Sequence, residues 1–76
     1  MELTKLKVGE SARVSQILTI NDAKTRFAEL GLVEGVEVLI VRFAPLGDPI
    51  EITLRGYELT LRKAEANYVL MEVNNA

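Results

Sequence analysis

The chain has 76 residues, 49% of them hydrophobic, with nine Lys+Arg against eleven Asp+Glu and no cysteine or histidine. That composition supports a packed core rather than disorder. It excludes a disulfide framework and a Cys/His zinc staple, and a net charge of −2 leaves no basic stripe for nucleic acid. One domain over residues 1–76 is expected at this length. A chain this short buries only about 60% of its unfolded surface, so packing, helped by self-association, must supply its stability. The apolar run Val38-Leu39-Ile40-Val41 is cut by Arg42 and falls far short of the about 20 residues a membrane span needs. The start, Met1-Glu2-Leu3-Thr4-Lys5, lacks the layout of a signal peptide. A soluble, cytoplasmic protein is expected.

Leu3 and Leu6 stand three apart ahead of Gly9. That spacing predicts one helical turn that lids an open end of a sheet. Ala12–Ile20 reads as the first strand. Ala12 and Val14 share a face, but the next strong apolar residue is Ile17, and this phase slip predicts a β-bulge near Ser15-Gln16. Asn21 or Asp22 caps a helix over Ala23–Leu30. Ala23, Phe27 and Leu30 fall on one face of it, with Lys24, Arg26 and Glu29 solvated. Gly31 follows at once, where a helix end favours positive φ, and Leu32 then packs back on Phe27 in a Schellman-type cap. Gly35 suits the left-handed corner of a type II turn.

Val36–Phe43 is the second strand, apolar on both faces: Val36, Val38 and Ile40 on one, Leu39, Val41 and Phe43 on the other. Such a strand is central, strongly curved or partly at an interface. A small barrel has one interior, so the leftover apolar face predicts a weak homo-oligomer. Ala44-Pro45-Leu46-Gly47-Asp48-Pro49 is longer and stiffer than a hairpin needs, and Leu46 is an apolar side chain at its tip. It serves either local packing or partner contact. Ile50, Ile52 and Leu54 alternate with Glu51, Thr53 and Arg55. Past Gly56, Leu59 and Leu61 alternate with Glu58, Thr60 and Arg62, which completes a hairpin with one wet face. Lys63–Asn67 predicts a single helical turn and Tyr68–Val73 a last strand. The fold class is therefore mostly β: an SH3-like small barrel of about five strands, one helix and a short helical turn. An OB-fold is second, because its helix normally lies between the third and fourth strands.

Intrinsic chemistry is poorly supported. Without His or Cys the usual general base and the best nucleophile are missing, and Ser11 and Ser15 have no base in view. Asp48 beside proline reads as a turn residue. An oxygen-only metal site would need Asp48, Glu51 and Glu58 to converge. No enzyme activity, no cofactor and no tight ferrous site are expected.

The order of these residues resembles the FeoA family, small cytoplasmic components of bacterial ferrous iron uptake. The resemblance runs from about Leu3 to Val73. It rests on Leu6 and Gly9, on Leu30-Gly31-Leu32 ending the helix, on Gly35, Pro45 and Gly47-Asp48-Pro49-Ile50, and on Leu61-Arg62 and Ala66. One position departs: the family commonly has proline before the glycine at 35, where this chain has Glu34. The module also looks like the C-terminal domain of iron-dependent repressors, without their winged helix. The resemblance implies an accessory protein that acts with FeoB, a membrane transporter carrying a cytoplasmic GTPase domain. It implies no required iron. A partner-binding surface is expected at Leu30, Gly31 and Leu32 together with Pro45, Leu46, Gly47, Asp48 and Pro49. The alternatives are a small-barrel nucleic-acid-binding module and a stand-alone relative of the repressors' SH3-like domain.

Overall fold

The computed structural model describes residues 1–18 and 22–72. It begins with a 3₁₀ turn at Leu3–Lys5, followed by β1 (Ser11–Ile17), α1 (Asp22–Glu29), β2 (Glu37–Phe43), β3 (Ile50–Leu54), β4 (Tyr57–Leu61), α2 (Lys63–Ala66) and β5 (Val69–Met71). All five strands form one antiparallel sheet in the order β4-β3-β2-β1-β5. This is the mostly β, SH3-like barrel the sequence predicts, with α1 between β1 and β2. The expected cap Asn21, the strand end at Ile20 and the strand end at Val73 lie outside the described residues.

The curl of the sheet comes from β1 changing partners. Ser11–Arg13 pair with β2 and Val14–Ile17 with β5. The register shifts between Val14 and Gln16, so the predicted bulge is present at Ser15. The Ser15 hydroxyl donates to the Leu70 carbonyl at 3.1 Å, which holds the bulged residue against β5. With the bulge in place, Ala12, Val14 and Ile17 are all buried, and the irregular apolar spacing becomes one continuous inner face.

A second bulge corrects the reading of β2. Ile40 pairs with Ile52, Arg42 with Glu51 and Phe43 with Ile50. Val41 is the extra residue, two residues opposing one across the ladder. The phase flips there, so Phe43 joins the inner side and packs on the core. Only Leu39 and Val41 of the expected second apolar face remain outside the core. Arg42 Nε meets Glu51 Oε2 at 2.9 Å beside them.

The core joins Phe27 and Leu32 to Val38, Ile40, Ile50, Ile52, Leu54, Leu61, Val69 and Met71. Leu3 and Leu6 close it from the N-terminal turn, as a lid. Truncating a fully buried aromatic such as Phe27 to alanine removes about 3–5 kcal/mol, a large fraction of a small domain's stability. Leu30, expected in this core, is instead exposed at 37%. It is the last residue before the chain turns out of α1, and it lines a groove shared with the end of β4 and α2.

Candidate docking groove

The end of α1 follows from Leu30-Gly31-Leu32. Leu32 N donates to the Phe27 carbonyl at 2.8 Å and Gly31 N to the Ala28 carbonyl at 3.0 Å, the two bonds of a Schellman motif. Gly31 has φ +87°, and a Cβ there would sit 2.6 Å from the Tyr57 hydroxyl oxygen. The left-handed φ is what requires glycine, and a Cβ would in addition force the half-exposed Tyr57 side chain to shift. Leu32 is fully buried. Its cap contact with Phe27 places it in the core, so its side chain offers nothing to a partner.

The loop after β2 is fixed by its own backbone. Ala44 N donates to the Pro49 carbonyl at 3.0 Å and Gly47 N to the Ala44 carbonyl at 2.7 Å. Pro45 is exposed, Gly47 takes φ +84°, and Leu46 at the tip is 96% exposed. Asp48 has a second task that the sequence does not suggest. Its Oδ1 accepts the Lys63 backbone N–H at 2.9 Å, which ties the loop to the start of α2 and satisfies a free helix amide.

Between α1, the end of this loop, the end of β4 and α2 lies a groove of about 550 Å³, within the range of ligand sites. Phe27, Leu30, Pro49, Leu61 and Ala64 supply its apolar lining. Arg26 and Glu65 meet across it as an ion pair, and the Arg26 guanidinium lies 5.9 Å from the Phe27 ring centroid. Glu65 Oε1 accepts the Arg62 backbone N–H at 3.1 Å. Of the residues expected at a partner surface, the groove brings together Leu30 and Pro49 only. Leu46 stands away from it, and Gly31, Pro45, Gly47 and Asp48 support the two elements without lining it. Sequence reasoning missed Arg26, Arg62, Ala64 and Glu65, because Arg26, Ala64 and Glu65 look like ordinary solvated helix residues, and Arg62 like the wet face of a strand, until α1 and α2 face each other. The Arg62-Lys63 doublet is the one sequence signal that points there. Among the described residues no three acidic side chains converge on a common point. The lining offers apolar surface and charge, the elements of recognition.

Fold and groove together define a small SH3-like barrel with an open groove between its two helices. The FeoA domain family model matches residues 1–73. The chain belongs to the FeoA family, which takes part in ferrous iron transport. It is 40% identical to the FeoA protein from Chlorobium tepidum, covering 96% of this chain and 70% of that one with a TM-score of 0.90. It is 34% identical to Stenotrophomonas maltophilia FeoA, a procaryotic SH3 domain protein solved in complex with zinc, over 95% of this chain and 89% of that one, with a TM-score of 0.81. A Porphyromonas gingivalis protein described as an Fe(2+) transport protein A/Fe(2+) transporter FeoB fusion is 29% identical over 73 residues, 96% of this chain. The chain spans 9% of that relative's length. No helix among the described residues is long and apolar enough to cross a membrane.

Proposed function

We propose that this chain is a non-enzymatic adapter of ferrous iron uptake. It binds the cytoplasmic part of an FeoB-type GTPase transporter and acts there on assembly or GTP turnover. The observation that carries the reading is the joining of a related segment to an FeoB transporter in a single polypeptide. Covalent fusion raises the effective concentration of two parts that bind each other. The groove between α1 and α2 adds support. It is formed by fixed elements, and docking on preformed surfaces costs little ordering entropy.

The test is a titration of the transporter's isolated cytoplasmic domain with the full chain, followed by calorimetry. Saturable binding that Leu30→Asp weakens at least about tenfold is the expected result, since a charge in the apolar lining must be desolvated. Circular dichroism of the variant checks that it folds. Absence of binding to the folded domain would overturn the adapter reading. GTP turnover measured in the same titration separates a modulator from a scaffold.

A further inference from the structure

Resting on that reading, we infer that the α1–α2 groove selects an acidic, apolar-anchored segment of its protein partner, and not the proline-rich peptide that an SH3-like fold suggests. Two observations carry this, one about charge and one about shape.

Glu65 and Asp48, the carboxylates in and beside the groove, are both engaged. Glu65 uses one oxygen on Arg26 and the other on the Arg62 backbone N–H. Asp48, on the loop beside it, is spent on the Lys63 backbone N–H. The cations are spent less fully. Neither Arg62 nor Lys63 forms an ion pair among the described residues, and both side chains are exposed. Arg62 lines the groove and Lys63 follows it in the chain. With Arg26, Arg62 and Lys63 set against Glu65 and Asp48, the rim carries a net positive charge on a chain whose net charge is −2. An arginine at the edge of a partly apolar cleft is the side chain best suited to take a carboxylate in two parallel hydrogen bonds.

Proline-rich segments dock in grooves walled by aromatic rings. Among the described residues the only aromatic one lining the groove is Phe27, which has no exposed surface. The accessible floor is aliphatic: Leu30, Pro49 and Ala64, with Leu61 almost wholly covered beneath them. Such a floor takes a leucine or similar anchor, while the rim reads the charge beside it.

The test uses three synthetic peptides against the isotopically labelled full chain. One carries paired leucines flanked by glutamates, one the same leucines flanked by lysines, and one is a PxxP peptide. Amide shifts are followed by NMR. The glutamate peptide is expected to move the amides of Leu30 and Leu61–Glu65 and to bind more tightly than the other two. Raising salt should weaken it, as exposed charges demand. Arg62→Glu should cost it about fivefold in affinity, with Arg62→Lys in between, the scale of an exposed ion pair. Equal binding of the lysine peptide, tighter binding of the PxxP peptide, or no shift with the glutamate peptide would each overturn the inference. The adapter reading fails separately. If the transporter domain binds wild type and Arg62→Glu equally, the charge inference falls and the adapter stands; if it binds neither, the adapter falls.

Discussion

At the scale of single residues, the turn into β2 shows how much depends on one glycine. Val36 N donates to the Val33 carbonyl at 3.2 Å and Gly35 has φ +90°, which sets Gly35 at the third position of a type II turn. Glu34 occupies the second, where proline is common. Among the described residues the Glu34 N–H donates no backbone hydrogen bond outside regular elements, so proline removes nothing there. Glu34→Pro is expected to stabilise the protein by about 0.4–1 kcal/mol, by narrowing the unfolded ensemble. Urea titration reads this directly, and a lowered midpoint would mean the turn is not type II in solution. Gly31 gives the opposite case. Gly31→Ala meets both a left-handed φ and the Tyr57 hydroxyl, and a loss of about 1–3 kcal/mol is expected. Tyr57→Phe in the same background should recover part of that loss, because it removes the crowded oxygen.

At the scale of elements, loop 44–49 and α2 act as one unit. Asp48 accepts from the first amide of a four-residue helix, and so short a helix has little cooperativity of its own. Asp48→Ala should cost about 0.5–2 kcal/mol, as loss of a capping side chain does, and should shift the amides of Lys63–Ala66 by NMR. Leu46→Ala should leave the thermal melt nearly unchanged, because the side chain is almost wholly exposed and such changes stay within about 0.5 kcal/mol. If the loop tip also touches the transporter, the same variant should lose about 1–2 kcal/mol of binding. Unchanged binding removes Leu46 from the contact surface. The two bulges show what was legible in the sequence. The one at Ser15 was readable because Val14 and Ile17 are apolar among polar neighbours, so the phase slip left a visible gap. The one at Val41 was hidden because both flanking faces are apolar and a slip leaves no mark. The groove was hidden for a different reason. Its walls, at Arg26–Leu30 and Thr60–Glu65, lie thirty or more positions apart in the chain, and no local pattern joins them.

At the scale of the whole molecule, the question is whether copies associate. The expectation rested on two apolar faces of β2, and the bulge at Val41 reduces the outer one to Leu39 and Val41. Leu39 is 38% exposed and sits in register between Ser11 and Thr53. One leucine among hydroxyl side chains supports only weak pairing, since isolated exposed apolar residues are common on monomers. The sheet edges are a separate route. Met71 N donates to the Met1 carbonyl at 2.6 Å and Glu2 bridges Leu70, so the N-terminal residues cover the β5 edge. Among the described residues the β4 edge at Tyr57–Leu61 has no such cover in the sheet, and open edges are where strands of another copy add. Sedimentation velocity should therefore show a monomer at low concentration and reversible association only when concentrated. Leu39→Lys should remove that association if the β2 face forms it. If association survives, Thr60→Pro on β4 decides the matter. Proline withdraws an amide from the edge, and loss of the dimer in that variant, with its fold intact by circular dichroism, assigns the contact to the β4 edge. A strict monomer at high concentration removes both routes and leaves packing alone to hold the domain.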